Sequence, residues 1–136
     1  MITAVDTNVL LDVLTADPTF GPASRTALQA AIQTGALIAS EVVWAETSAW
    51  FRSEEETAHA LDRLRVRLVP MDVPAAFAAG TAWGAYRRRG GRRDRMIADF
   101  LVGAHAEANA DRLLTRDYGF YRARFRGLKI VDPTAG

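Results

Sequence analysis

Five short, continuously apolar segments, separated by helical patterns, constrain the fold of this 136-residue chain more than any other feature. We predict strands at these segments: Ile2–Asp6, Leu37–Ser40, Val66–Met71, Arg112–Thr115 and Leu128–Val131. Continuous apolar runs are typical of parallel strands buried on both faces, whereas half-exposed strands alternate apolar and polar residues. With one or two helical patterns between successive strands, the order predicts an α/β domain whose largely parallel sheet is flanked by helices.

Capping signals mark two of the predicted helices on the amino-terminal side. Pro22 lies in the first turn of a helix that Gly35 ends, since proline favours helix starts and glycine favours helix ends. Ser53 and Glu56 have the spacing of a capping box, in which each side chain satisfies a free backbone N–H at the helix start. This box predicts a helix that extends to about Leu64.

Two further helices are predicted in the second half of the chain. Asp72 and Pro74 begin one that runs into Arg87–Arg89 and ends at Gly90-Gly91. We expect Asp94 to cap the next helix. Its buried stripe is predicted from residues three or four positions apart: Ile97, Leu101, Ala104 and Ala108.

Length and composition limit the classes of protein that fit. Residues 1–136 contain no repeat or linker and are enough for one domain with its own core. The chain has no cysteine, which excludes disulfides, thiolate metal sites and a cysteine nucleophile. It has neither a basic leader nor a run near the roughly 20 apolar residues that a bilayer requires, so we expect a soluble cytoplasmic protein with no membrane partner.

The formal net charge of +1 conceals a strong asymmetry. Residues 1–72 hold ten acidic and five basic residues, whereas residues 73–136 hold six acidic and twelve basic ones. Sixteen of the seventeen basic residues are arginine, whose planar guanidinium suits phosphate. Such an asymmetry favours a nucleic-acid partner.

The arginines form two clusters. The first surrounds the Gly90-Gly91 pair and consists of Arg87, Arg88, Arg89, Arg92, Arg93 and Arg95. The second is interleaved with aromatic residues and consists of Arg122, Arg124, Arg126 and Lys129. We expect the first cluster to hold phosphates, which gives affinity that falls with salt and does not depend on base sequence. An acidic protein partner or a second copy of the chain stays open as an alternative.

Two carboxylates lie in apolar surroundings on predicted helices. The helical neighbours of Glu46 are all apolar: Val42, Val43, Ala49 and Trp50. Three of the four neighbours of Asp99 are also uncharged: Met96, Val102 and Gly103. The fourth, Arg95, could instead be a simple ion-pair partner. Asp62, by contrast, has His59 and Arg65 among its neighbours and is interpreted as a solvated surface acid. Because an isolated carboxylate is costly in apolar surroundings unless it is paired or binds a metal, Glu46 and Asp99 are candidate site residues.

Two more carboxylates follow predicted strands. Asp6 ends the first strand and Asp117 lies two residues beyond the fourth, and ligands of open α/β sheets bind at such carboxyl ends. Each could instead be a simple helix cap. Four converging acids would repel one another, at roughly 4 kcal/mol per pair about 4 Å apart with an effective dielectric constant near 20. A divalent cation would remove this repulsion, and oxygen ligands fit Mg²⁺ or Mn²⁺.

We expect the histidines and tryptophans to have no role in a functional site. Neither His59 nor His105 has the spacing to another ligand that a metal site or a catalytic triad needs, so we expect both at the surface or in grooves. The three tryptophans are predicted to belong to the core: Trp44, Trp50 and Trp83.

Four motifs, in this order along nearly the whole chain, resemble those of PIN-domain ribonucleases and, more narrowly, of VapC-type toxins of bacterial toxin–antitoxin modules. They are Asp6-Thr7-Asn8-Val9-Leu10, Ser40 with Glu46 six residues later, Asp99-Phe100-Leu101-Val102-Gly103-Ala104-His105-Ala106, and Leu114-Thr115-Arg116-Asp117 followed by Phe120. Asp94 competes as the acid of the third motif. We favour Asp99, which stands directly before the apolar run.

The resemblance implies a three-layer PIN-like α/β domain with a mostly parallel five-stranded sheet in the order 3-2-1-4-5. It also implies an Mg²⁺-dependent endoribonuclease, with Mn²⁺ as an alternative ion. Asp6 and Asp99 would be the principal metal ligands, and Glu46 and Asp117 would complete the site directly or through water. The residues that would support these carboxylates are Asn8, Ser40 and Thr115, and those that would draw in RNA are Arg87, Arg88, Arg89, Arg92 and Arg93.

The resemblance further implies a small cognate antitoxin and a homodimer. One alternative is a catalytically inactive PIN-like domain that binds RNA or protein. A second is a haloacid-dehalogenase-like phosphatase, which resembles this chain only in an aspartate after the first strand. Such enzymes have a second aspartate at the position where this chain has Asn8. They also have a lysine upstream of their late acids, whereas the only lysine in this chain is Lys129. The missing acidic pair also argues against a receiver-type phosphoacceptor.

Overall fold

A five-stranded parallel sheet forms the centre of the protein in the computed structural model, which describes residues 1–91 and 96–135. The strands are β1 (Ile2–Val5), β2 (Ala36–Ala39), β3 (Val66–Leu68), β4 (Arg112–Leu114) and β5 (Lys129–Val131). Their order is β3-β2-β1-β4-β5, so the predicted order 3-2-1-4-5 is confirmed. In register, Ala4 of β1 lies between Ile38 of β2 and Leu113 of β4.

Seven helices in the described part of the chain connect and flank these strands. They are α1 (Thr7–Leu14), α2 (Gly21–Thr34), α3 (Glu41–Ser48), α4 (Glu54–Arg63), α5 (Val73–Arg88), α6 (Ile97–Asn109) and α7 (Tyr118–Arg124). From β1 the chain adds β2 and then β3 on one side of the sheet. It then crosses over to add β4 and β5 on the other side of β1. β1 and β4 therefore form the switch point of a three-layer α/β fold. No helix within residues 1–91 and 96–135 has the length and apolar character to cross a bilayer.

Two predicted helix caps are confirmed by hydrogen bonds. The hydroxyl of Ser53 accepts from the backbone N–H of Glu56 at 3.1 Å, and the Asp72 carboxylate accepts from that of Ala75 at 3.0 Å. The prediction for the start of α6 is wrong, because the helix begins at Ile97 with Met96 at its N-cap position. Asp94 itself lies outside the described residues.

Backbone chemistry sets the ends of two elements. The third strand is predicted to reach Met71, but β3 ends at Leu68 and only Val69 adds one more hydrogen bond, to the carbonyl of Ala39. The next residue, Pro70, has no N–H with which to continue the ladder. Gly35 ends α2 at φ +156°, where a Cβ atom would overlap the backbone of Met1, so only glycine fits there.

Helix α6 is buried more widely than the predicted stripe. Of that stripe, Ala104 is buried and Leu101 is partly buried, whereas Ile97 and Ala108 are exposed. The buried residues form a nearly continuous run: Phe100, Val102, Gly103, Ala104, His105 and Ala106. A helix that packs against α5, α3 and the sheet at once has no single apolar stripe, which explains why helical periodicity failed for this element.

His105 belongs to this buried run and not to the surface. Its Nε2 atom lies 2.7 Å from the carbonyl oxygen of Val69, so the expectation for His105 is wrong, while His59 is exposed as expected. The prediction for the tryptophans is wrong at one position. Trp44 and Trp83 are partly buried against the core, but Trp50 follows the end of α3 and is 64% exposed.

An aromatic cluster joins α5, α6 and α7 beneath the end of the sheet. Phe100 contacts Tyr86, Phe120 and Phe125 with ring centroids 5.2–6.5 Å apart, and Tyr121 packs on Phe120. Gly103 permits this packing, because a Cβ atom there would overlap the Phe125 ring. The cluster fixes α6 and α7 relative to each other, and with them Asp99 and Asp117.

Candidate active site

The ends of β1 and β4 place Asp6 and Thr115 side by side. Asp6 follows β1 directly, and its backbone N–H donates to the carbonyl oxygen of Leu114, the last residue of β4, at 3.0 Å. The hydroxyl of Thr115 donates to Oδ2 of Asp6 at 2.8 Å. This junction lies at the switch point, where open α/β sheets form their ligand-binding crevice.

Asp6 is both a helix cap and a member of an acidic cluster. It occupies the N-cap position of α1, and its Oδ1 accepts from the backbone N–H of Thr7 at 2.7 Å. Its side chain is 8% exposed, and burial raises its pKa from 3.8 to about 6. Hydrogen bonds from Thr115 and Thr7 oppose this rise in pKa, whereas the charges of Glu46 and Asp99 add to it. The capping interpretation of Asp6 is therefore confirmed, and it leaves the side chain's second oxygen in contact with Thr115.

Glu46 reaches the site from α3, but not through the buried surroundings expected from its neighbours. Helix α3 ends at Ser48, Ala49 and Trp50 are exposed, and Glu46 is itself exposed. Its position depends instead on a hydrogen bond, since Thr7 Oγ1 donates to Glu46 Oε1 at 2.7 Å. Thr7 and Asp6 are consecutive, so this bond ties Glu46 to the start of α1.

Asp99 and Asp117 approach from the other side of the switch point. Asp99 lies in the first turn of α6 and Asp117 three residues after β4, and both are partly buried. Asp117 occupies the N-cap position of α7, but within the described residues its side chain makes no capping hydrogen bond. A simple capping role therefore does not explain Asp117.

Tyr121, a buried residue of α7, lies near these acids and was not predicted. Its pKa is raised first by burial and then by the negative charges of Asp6, Asp99 and Asp117. A phenol in these surroundings stays protonated. The available signal was spacing, because a residue four positions after Asp117 lies on the same helix face.

Asn8 and Thr115 form hydrogen bonds around the Asp6 carboxylate. Asn8 Nδ2 lies 3.4 Å from both Asp6 Oδ2 and Thr115 Oγ1. Thr115 Oγ1 also accepts from the backbone N–H of Asp117 at 3.0 Å. Ser40 has a different contact in the structure, since its buried hydroxyl accepts from the backbone N–H of Val43 and caps α3.

The predicted arginine cluster is only partly described. Arg87, Arg88 and Arg89 are exposed at the end of α5, and the guanidinium of Arg87 lies 5.0 Å from the ring centroid of Trp83. Arg92, Arg93 and Arg95 lie outside the described residues. In the second cluster, Arg122 packs on Tyr118, and Arg124 packs on Tyr86 and Phe120.

The donor chemistry of the site fits a hard divalent cation. The cluster offers carboxylate oxygens without a thiolate, and the pKa of Asp6 is raised first by burial and to a smaller extent by the charges of Glu46 and Asp99. Within residues 1–91 and 96–135, no group of three or more His, Asp or Glu side chains is close enough together to hold a metal ion. The residues that would hold Mg²⁺ or Mn²⁺ are Asp6, Glu46, Asp99 and Asp117.

Comparison with known proteins gives a consistent result. The family model described as the PIN domain matches residues 3–126. Among similar solved structures, VapBC2 from Rickettsia felis, bound to a DNA fragment from their promoter, is 21% identical, with a TM-score of 0.74 over 97% of this chain and 98% of that chain. VapBC-1 from nontypeable Haemophilus influenzae is 19% identical, with a TM-score of 0.72 over 98% and 99%. FitAcB from Neisseria gonorrhoeae is 21% identical, with a TM-score of 0.70 over 100% of both chains. No curated protein matches significantly.

Proposed function

Because this chain belongs to the PIN-domain family, we propose that it is an Mg²⁺-dependent endoribonuclease that hydrolyses RNA phosphodiester bonds in the cytoplasm. The observation that carries the proposal is the burial of Asp6 at the switch point beside Glu46 and Asp99, where burial first and then the charges of these two acids raise its pKa to about 6. A carboxylate whose pKa is perturbed in this way is typical of a functional site, and oxygen ligands without a thiolate fit a nuclease metal site. The family match favours this function over the haloacid-dehalogenase-like phosphatase.

Asp6 and Asp99 are the principal ligands in this proposal, with Glu46 and Asp117 completing the site. A bound Mg²⁺ or Mn²⁺ ion would supply an acidified water and stabilise the leaving oxygen of the phosphodiester. Asn8 and Thr115 orient the Asp6 carboxylate through hydrogen bonds, and Thr7 holds Glu46. Tyr121 is buried near Asp6, and its phenol stays protonated there.

RNA would be held by its phosphates on the exposed arginines that end α5. Arg87, Arg88 and Arg89 carry three positive charges on one exposed turn, and we assign Arg92 and Arg93 to the same role from the sequence. Phosphate contacts of this kind give affinity without base selectivity. Choice of a cleavage position would come from unpaired bases in a loop or single strand.

We place the chain as the toxin of a toxin–antitoxin module. Support comes from the fold shared with VapBC2, VapBC-1 and FitAcB over nearly the full length of each chain. The partners in this proposal are a small cognate antitoxin, which would hold the toxin inactive, and a second copy of the chain. Exposed Val73 and Phe77 on α5 form an apolar face suited to that second copy.

Asp99→Asn tests the nuclease proposal. We expect this variant to lose Mg²⁺-dependent cleavage of total RNA while its metal-free melting temperature rises by about 2–4 °C, because roughly 1 kcal/mol of repulsion with Asp6 is relieved. Cleavage is followed on gels with Mg²⁺ and with EDTA. Asp62→Asn, at an exposed acid outside the site, is the control and should cleave normally.

Two outcomes would contradict the proposal. Cleavage by Asp99→Asn at the wild-type rate would remove Asp99 from the site. A wild-type protein that binds RNA but does not cleave it with Mg²⁺ or Mn²⁺ would instead be the inactive PIN-like binding domain.

A further inference from the structure

Arg116 makes a two-point ion pair that ties the loop after β4 to the first two helices. Its Nε lies 2.8 Å from Asp12 Oδ2 and its Nη2 lies 3.1 Å from Asp12 Oδ1, a fork-to-fork geometry. Ser24 of α2 donates to the same Asp12 Oδ2 at 2.8 Å. The guanidinium also stacks on Phe20, with Cζ 4.0 Å from the ring centroid. The four side chains form a cluster that we call the Arg116 clamp.

The clamp acts on the segment that carries two site residues. Arg116 stands between Thr115, which donates to Asp6, and Asp117. The backbone N–H of Arg116 donates to Asn8 Oδ1 at 3.2 Å, and that of Asp117 donates to Thr115 Oγ1 at 3.0 Å. The segment is therefore fastened to α1 by the Asn8 side chain near its start and by the Arg116 side chain further along α1.

The energetics of the ion pair between Arg116 and Asp12 favour a role in positioning the backbone over a role in stabilising the fold. Asp12 is 4% exposed and the side chain of Arg116 is 28% exposed, so both charges are largely withdrawn from water. Desolvation offsets much of the attraction in such a pair, and apolar replacements of similar size are often at least as stable. A two-point contact does, however, fix the direction of the arginine and of the backbone that bears it. Stability alone therefore gives little reason for an ion pair at this point.

We propose that Arg116 is a positioning residue that holds Thr115 and Asp117 in the geometry needed for metal binding. This inference rests on the proposed function, since it assigns Arg116 to the same acidic site. Hydrogen-bond partners of metal ligands commonly change metal affinity or activity by about 10–100-fold when removed. We expect an effect of this size from losing the clamp.

Arg116→Gln and Arg116→Lys test the proposal, with Arg112→Gln as the matched control. Arg112 lies at the opposite end of β4 and also makes two side-chain hydrogen bonds, to Thr3 at 2.8 Å and to Thr34 at 3.1 Å. Mn²⁺ affinity is measured by calorimetry without RNA. Amide hydrogen exchange at Arg116 and Asp117 is measured on the metal-free protein, and kcat and KM are measured on RNA with Mg²⁺.

We expect Arg116→Gln to weaken Mn²⁺ binding and lower kcat by about 10-fold or more, and to speed exchange of both amides. Arg116→Lys should recover part of each loss, because lysine keeps the charge but not the planar fork. Arg112→Gln should keep wild-type Mn²⁺ affinity, even if its melting temperature falls as much as that of Arg116→Gln. Asp12→Asn, which keeps the size of the side chain, should repeat the Arg116→Gln result and covers the case in which that variant fails to fold.

The proposal would be overturned if Arg116→Gln bound Mn²⁺ with wild-type affinity and its two amides exchanged at the wild-type rate. If KM for RNA rose at the same time, Arg116 would be a phosphate-binding residue instead. Failure of the proposed function gives a different pattern, in which the wild-type protein neither binds Mn²⁺ nor cleaves RNA. The amide-exchange comparison would then still decide whether Arg116 orders the segment.

Discussion

At the scale of single residues, Asp6 combines several roles in one side chain. It caps α1, accepts hydrogen bonds from Thr115 and Asn8, and lies beside other acids. The polar support is extensive, but it does not offset the cost of keeping this carboxylate charged while it is buried. Metal-free protein should therefore show this cost in its stability.

Asp6 makes the metal-free protein less stable as pH rises from about 4 to 6. The folded-state pKa is raised to about 6 from 3.8, so in this window the folded protein holds more protons than the unfolded chain and its free energy of unfolding falls with pH. Asp6→Asn lacks this dependence. We expect its stability relative to the wild type to improve by up to about 3 kcal/mol between pH 4 and pH 7. Urea denaturation in EDTA measures this difference, and a difference that does not vary with pH would contradict the assignment.

The hydroxyl of Thr47 is a second buried polar group whose burial is costly to the fold. Its hydroxyl is buried and has no hydrogen-bond partner among the described residues. Thr47→Val keeps the shape and should raise the free energy of unfolding by about 1 kcal/mol in urea denaturation. Thr57 is the matched control, because its buried hydroxyl donates to the carbonyl of Ser53 at 3.2 Å, and Thr57→Val should destabilise the protein. A loss of stability in Thr47→Val would show that its hydroxyl is satisfied in solution.

Residue-scale interpretation of the sequence placed Asp6 correctly at the end of β1 and was incomplete for Glu46. Helical spacing marked Glu46 as unusual, yet two of the four apolar neighbours that suggested burial, Ala49 and Trp50, are exposed. What places Glu46 is the hydroxyl of Thr7, 39 positions away in the chain. Spacing along one helix cannot reveal such a contact, because it depends on how α1 and α3 pack.

At the scale of elements, the starts of α4 and α5 were predictable, whereas the start and the buried face of α6 were not. The caps of α4 and α5 involve residues three apart, so the local sequence contains all the information needed. The buried face of α6 depends on several neighbouring elements and did not follow one stripe. The start of α6 also differed, with Met96 in the N-cap position.

Two glycines inside helices should respond oppositely to alanine. A Cβ atom at Gly80 of α5 would meet open space, so Gly80→Ala should stabilise the protein by about 0.5–1 kcal/mol through helix propensity. A Cβ atom at Gly103 of α6 would overlap the Phe125 ring, so Gly103→Ala should cost about 1–3 kcal/mol. Thermal unfolding of both variants checks this. Equal effects of the two substitutions would mean that contact with Phe125 is not what requires glycine.

At the scale of the whole molecule, the exposed apolar face of α5 bears on assembly. Val73 is 81% exposed and Phe77 is 76% exposed, and their spacing of four places them on one face. Phe77→Glu should convert the proposed homodimer to a monomer, raising the dissociation constant by about 30-fold or more as loss of a central apolar contact does. Light scattering after size exclusion measures the mass. Ala78→Glu, at the next exposed position of α5, is the control and should stay dimeric.

A wild-type protein that is monomeric at high concentration would contradict the homodimer. A dimer that persists in Phe77→Glu would place the interface on another surface. Either result leaves the nuclease proposal intact, because the four acids of the proposed metal site lie in one chain.

The sequence by itself determined the α/β class, most strand positions and four candidate site acids, because apolar runs, caps and short motifs are local properties. The strand order, which the resemblance implied, places β1 beside β4 and so brings the two strand-end acids to one edge of the sheet. Tertiary structure alone decided the bond from Thr7 to Glu46, the position of Tyr121 near Asp6, and the clamp of Arg116 on Asp12. Each joins elements that are distant in the chain, and their separation is fixed by packing and not by any local pattern of residues.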